Sequence, residues 1–108
     1  MKPEQVYHAF ILGLLVHLQP LYLVRSNRES GHGRYDVMLE PREAGRPGVV
    51  LELKAKRDRE TMGRAAARGL RQLADKEYAA ELRARGASPI HELAIAFDGK
   101  RVHVKLRG

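Results

Sequence analysis

Residues 36–54 read DVMLEPREAGRPGVVLELK, and the glycine loop SGHGRY of residues 30–35 leads into them. The stretch reads as two strands, about Arg34 to Leu39 and about Val49 to Ala55, joined by a Pro/Gly-rich turn from Glu40 to Gly48. Side chains alternate faces along a strand. Tyr35, Val37 and Leu39 therefore share one face of the first strand, and Asp36 takes the other. On the second strand Val49, Leu51 and Leu53 share a face, and Val50, Glu52 and Lys54 point the opposite way. When the apolar faces coincide, Asp36, Glu52 and Lys54 gather on one side of a sheet.

Outward from that pair of strands, the chain predicts an α/β domain. Pro3 suits a first helical turn, and the helix is expected to run to about Leu18, stopping before Pro20. Apolar residues surround most of it, which is the pattern of a buried helix. Leu21 to Ser26 has the β-branched and aromatic content of a strand, and Asn27 to Gly33 has the residues of a turn. After the second carboxylate, Arg57 to Arg85 is expected to be one long alanine-rich helix ending at Gly86. Ala65, Gly69, Gln72, Lys76 and Ala79 fall on one row, small enough for close packing on a sheet. Arg64, Arg68, Arg71, Arg83 and Arg85 read as its solvated face. Glu92 to Phe97 and Arg101 to Leu106 are strands around Asp98-Gly99, a strong hairpin signal. The order is αβββαββ, a central mixed sheet flanked by two helices.

A length of 108 residues fits one domain, 1–108, with 44% hydrophobic and 31% charged residues. The absence of cysteine excludes disulfides, thiolate metal sites and a cysteine nucleophile. The apolar run Ala9 to Leu18 is too short to span a bilayer, and no secretory signal is evident, so a cytoplasmic location is expected. Lys and Arg number 20 against 13 Asp and Glu, a net charge of +7. That excess favours a polyanionic partner, above all nucleic acid. An arginine-rich solvated surface is the plainer reading of the same number.

Carboxylates on adjacent strands make an oxygen site suited to a hard cation such as Mg²⁺ or Mn²⁺. Asp36 and Glu52 would supply side-chain oxygens and Leu53 a carbonyl. Lys54 points the same way and would orient an attacking water and offset charge on a phosphorane. A structural charge cluster on a strand face would give the same spacing. Glu4 shares a helix face with His8 and reads either as an N-terminal acid or as the edge of the metal site. Arg28 and Arg34 bracket the glycine loop, and Lys56, Arg57 and Arg59 follow Glu-x-Lys, which makes these five the expected phosphate contacts. His8 and His32 read as structural and loop residues, and Ser30 lacks the partners of a nucleophile. With six aromatics and no Trp, stacking platforms for single strands are not evident, which favours duplex or structured DNA.

Taken together, SGHGRYD followed by ELK, with YHAFILGLL before and QLADKEYAAEL and IAFDGKRVHV after, resembles the PD-(D/E)XK nuclease superfamily over nearly the whole chain. It is most similar to the small domains of that superfamily often found C-terminal to an ATPase-like domain. The resemblance implies a restriction-endonuclease-like core and a divalent-metal-dependent (endo)deoxyribonuclease. It makes Asp36 the motif aspartate, Glu52 the second metal-binding acid and Lys54 the catalytic lysine. Glu4 matches an acid that many members carry on the first helix. Gln72 and Tyr78 resemble the glutamine and tyrosine of a helix motif in the RecB-like branch, although their spacing is wider here. An ATPase-like partner domain is implied as a partner, and since a single site cuts one strand, cutting both would call for a homodimer with two sites. A catalytically inactive nucleic-acid-binding or regulatory module with the same fold is the alternative.

Overall fold

A computed structural model describes residues 3–26, 37–74 and 78–107; within these three segments side chains are described for 6–26, 37–73 and 79–107. The N-terminal helix α1, Pro3–Leu15, closes in a single 3₁₀ turn at Val16–Leu18. Three strands follow, β1 at Tyr22–Ser26, β2 at Val37–Pro41 and β3 at Gly48–Ala55. Helices α2 (Met62–Ala74) and α3 (Tyr78–Ala84) then lead to β4, Ile90–Asp98, and β5, Arg101–Arg107. The strands form one sheet in the order β1-β2-β3-β4-β5. Every neighbouring pair is antiparallel except β3 and β4, which α2 and α3 connect as a parallel crossover. The hairpin expected at Asp98-Gly99 is present, and Gly99 supplies the positive φ of 61° that its turn requires.

Both faces of the central strands are covered, which is why β2 and β3 are buried along nearly their whole length. On one face Val37, Leu39, Leu51, Leu53 and Phe97 form a core against Tyr7, Ile11, Leu12 and Leu15 of α1. On the other, Met38 and Val50 pack with Leu73 of α2 and Leu82 of α3, and Ala65 and Ala66 of α2 lie on Ala94 and Ala96 of β4. The expected alternation along β3 is thus realised. Leu51 and Leu53 belong to the α1 side, and Val50, Glu52 and Lys54 to the α2 side.

Three expectations change. The long helix is described over Met62–Ala74 and Tyr78–Ala84, residues 75–77 lying outside the described residues, and it begins at Met62 rather than Arg57. Tertiary bonds hold the chain out of helix there: Lys56 N–H donates to Phe97 O at 2.9 Å, extending the sheet by one step. Residues 58–59 then turn, with Arg59 at φ 63°, and Thr61 Oγ1 caps α2 by accepting from Arg64 N–H at 3.1 Å. Among the described residues three helical segments, α1, α2 and α3, flank the sheet. Helix α1 is not enclosed all round, because Val6, Phe10 and Leu14 are exposed. Finally, Arg68 and Arg85 are not merely solvated. Arg68 is largely enclosed in an ion pair with Glu60, and Arg85 bonds Glu40 of β2 at 2.7 Å. No helix among the described residues is long and apolar enough to cross a membrane.

Candidate active site

Glu52 and Lys54 sit two residues apart on β3, so the period of the strand puts both under α2. They are 3% and 8% exposed, and Lys54 Nζ lies 3.3 Å from Glu52 Oε2. A buried pair of this kind needs room, and small residues provide it. In register on β4, Ala94 is opposite Glu52 and Ala96 is opposite Lys54. Above them α2 presents Gly69, where an added Cβ would come within 3.0 Å of Ala94 Cβ, 3.3 Å of Lys54 Cγ and 3.4 Å of Glu52 Cγ. Glycine there lets α2 lie directly over the acid and the lysine. Of the small-residue row read in the sequence, Ala65 and Gly69 make this contact.

Gln72 is half-buried, one turn beyond Gly69. Leu70, two residues before it, accepts from Arg107 of β5 through its carbonyl at 2.6 Å. Leu53 turns its side chain into the core beneath α1, so any oxygen it offers is a backbone one. Asp36, Arg28 and Arg34 lie outside the described residues, as do Ser30 and His32. Glu4 falls within α1 and Tyr78 opens α3, but the side chains of both are outside that description. His8 is buried and hydrogen-bonded to Ser26 on β1, Nε2 to Oγ at 2.6 Å, which ties α1 to the sheet.

Of the expected phosphate contacts, Arg57 and Arg59 are exposed and Lys56 half-buried. They follow directly on the site strand. Their loop is organised by a carboxylate that sequence reasoning missed. Glu60 accepts from Arg57 N–H at 2.9 Å and from Arg68 through Nε at 3.0 Å and Nη2 at 3.1 Å, while Arg68 also donates to Ala55 O at 3.2 Å. The Arg68 guanidinium, with help from the Arg57 amide, lowers the Glu60 pKa to about 2. The pair clamps the end of β3, the basic loop and α2 together. No signal in the sequence marks it, because the two residues meet only once the turn at 58–59 and the start of α2 are fixed.

Among the described residues no cluster of three or more His, Asp and Glu is assembled. Glu52 nevertheless supplies a buried hard oxygen donor, and its neighbour Leu51 pairs with Val37, the first residue of β2. The donor types, carboxylate and carbonyl oxygen, are those that a small hard dication takes.

No curated protein and no solved structure matches the chain significantly. A family model described as PD-(D/E)XK nuclease superfamily matches residues 2–106. That match covers nearly the whole chain, and the chain belongs to the PD-(D/E)XK nuclease superfamily.

Proposed function

We propose that the chain is a divalent-metal-dependent nuclease that hydrolyses phosphodiester bonds in DNA by water attack, with Asp36, Glu52 and Lys54 as its catalytic residues. The observation that carries this reading is the enclosed Glu52–Lys54 pair under Gly69, within a chain that matches a nuclease superfamily over 2–106. In this reading Asp36 and Glu52 hold Mg²⁺ or Mn²⁺, with the Leu53 carbonyl and Glu4 as further oxygen donors. Such an ion, when bound, polarises a phosphoryl oxygen and lowers the pKa of a coordinated water.

The protein's own contribution lies in placement. Lys54 holds an ammonium beside the Glu52 carboxylate in a site largely closed to water, where a charge acts more strongly than at a surface. As negative charge grows on the phosphate oxygens in the transition state, that ammonium offsets it and orients the attacking water. Gln72, half-buried on α2, is suited to fix the orientation of the water or the phosphate. Lys56, Arg57 and Arg59 follow the site strand, with Arg28 and Arg34 preceding Asp36. We assign these five to the DNA backbone, whose contacts position a duplex without reading its sequence. A single such site cuts one strand, so cleavage of both strands of a duplex calls for two copies.

The test is cleavage of supercoiled plasmid in Mg²⁺, Mn²⁺ or EDTA, beside Asp36→Ala and Lys54→Ala and with a structured RNA as a second substrate. Metal-dependent nicking of the plasmid, lost in both variants, is the expected result. Cutting that survives Asp36→Ala overturns the site. Binding without cutting in any metal makes the chain a nucleic-acid-binding module, and preference for the RNA overturns the substrate assignment.

A further inference from the structure

One side of the molecule carries an apolar surface that its own fold leaves open. Tyr7 of α1 stacks on Phe97 of β4, with ring centroids 4.0 Å apart and 7° between planes, while His8 reaches Ser26 of β1. One flank of α1 thus faces β4 and β5, and the other faces β1. Val6, Phe10 and Leu14, spaced by four, run along the Tyr7 side of the helix, away from His8. On the sheet, Val102 pairs with Phe97, Val104 with Ile95 and Leu106 with Leu93. Phe97, Ile95 and Leu93 belong to the core beneath α1. The three β5 residues therefore face the same side as α1. All six side chains are 48–62% exposed.

Two further observations mark this as a surface meant to be covered. Residues 6–18 contain no Asp, Glu, Lys or Arg, in a chain with 31% charged residues. A helix meeting water on its outer face normally carries charge there. Strand β5 sorts its residues in the same sense. Its basic side chains, Arg101, Lys105 and Arg107, with His103, lie on the α2 side, and its apolar ones on the α1 side. The six apolar residues expose together on the order of 500 Å², near the upper range of the largest apolar patch on a typical monomer.

We propose that a second copy of the chain covers this surface, packed face to face about a two-fold axis with α1 of each copy against α1 and β5 of the other. Charge selects that occupant. An isologous interface sets one patch against its own copy, so a face whose described side chains are apolar lets a molecule of net charge +7 self-associate without bringing basic groups together. The α1–β5 face meets that condition. Edge-to-edge pairing of two β5 strands about Val104 does not, because it would set Arg101 against Arg107 and His103 against Lys105. The exposed apolar area, with the helix backbone at Ala9 and Gly13, approaches the roughly 800 Å² per partner of a standard interface. Gly13 suits a close helix approach, since an added Cβ there meets nothing within 4 Å in a single copy.

That last fact supplies the test, which reads association alone and does not depend on nuclease activity. Analytical ultracentrifugation of the chain should show a dimer that dissociates on dilution. Gly13→Glu adds a side chain whose Cβ meets nothing within 4 Å in one copy, and Val104→Lys places a charge at the centre of β5's apolar face. Both should be monomeric with an unchanged circular dichroism spectrum and melting behaviour. A wild-type chain that stays monomeric at high concentration overturns the proposal, as does a dimer that both variants retain. Wild-type chain that is monomeric and co-sediments with vesicles of neutral phospholipid assigns the surface to a membrane instead and equally overturns it.

Discussion

At Glu52 and Lys54 opposite charges are held 3.3 Å apart with almost no access to water. Desolvating two charges is expensive, and their attraction offsets that cost only while both are present. Replacing Lys54 by Met should therefore act twice. Stability should fall by roughly 3 kcal/mol, because a buried carboxylate is deprived of its counter-charge, and cleavage should fall by roughly 10²–10³-fold, the usual effect of removing a preorganised electrostatic group. Urea denaturation and plasmid nicking separate the two effects. The double variant Glu52→Gln/Lys54→Met should recover most of the stability and none of the activity. Equal stability of single and double variants would mean that the two charges are not coupled. This pair was legible in the sequence, since a period of two and an apolar face at Val49, Leu51 and Leu53 leave Glu52 and Lys54 no other side. Arg68 was not. Its row on the helix reads as solvent-facing, and only the turn at residues 58–59 brings Glu60 round to enclose it.

Helix α2 is the element that closes the site, and its two glycines have opposite roles. At Gly69 an added Cβ would press on Ala94 at 3.0 Å, whereas at Gly63 it would meet nothing within 4 Å. Helix propensity favours alanine over glycine by about 1 kcal/mol at either position. Gly63→Ala should thus stabilise by up to about 1 kcal/mol, while Gly69→Leu, which must lift α2 from the sheet, should destabilise by about 1–3 kcal/mol. Thermal unfolding of the two variants checks the pair, and a stabilised Gly69→Leu would refute the close approach. At the start of the same helix, Glu60 has its pKa held near 2 by Arg68, below the ordinary 4.5. A carboxyl depressed by folding contributes stability that is full above about pH 4.5 and lost as pH falls toward 2. The stability gap between the wild type and Glu60→Gln should accordingly be constant at neutral pH and shrink across that window. Urea titrations from about pH 7 down to about pH 2.5 test it, and a gap independent of pH would refute the assignment. The strands and the β4–β5 hairpin follow from alternation and from Asp98-Gly99, so their order was readable. The start of α2 was not, because residues 57–61 have helical propensity and are overruled by the Lys56–Phe97 backbone bond and the Glu60 clamp.

For the whole molecule, the excess of seven positive charges sets the terms on which it meets a polyanion. Net charge alone draws DNA from any direction, whereas a working site requires phosphate contacts concentrated where β3 delivers Glu52 and Lys54. The loop of Lys56, Arg57 and Arg59 follows that strand and is pinned to it through Glu60, Arg68 and Ala55, so its charges are carried on a fixed support. Arg64 and Arg71, exposed on the outer face of α2, supply an internal comparison, because they carry charge of the same sign away from the site. Binding of a duplex DNA probe, measured by fluorescence anisotropy over a range of salt, should give an affinity that falls linearly on a log–log plot. Substituting Lys56, Arg57 and Arg59 by Ala should reduce the magnitude of that slope by about one for each phosphate no longer neutralised, and weaken binding equally for probes of unrelated sequence. Arg64→Ala/Arg71→Ala should change the slope far less. If the two sets of substitutions have the same effect per charge removed, attraction is a property of net charge and the loop has no privileged place. A loop-specific effect that persists in Lys54→Met would show that the molecule separates holding the backbone from cutting it, with the first assigned to the turn after β3 and the second to the strand itself.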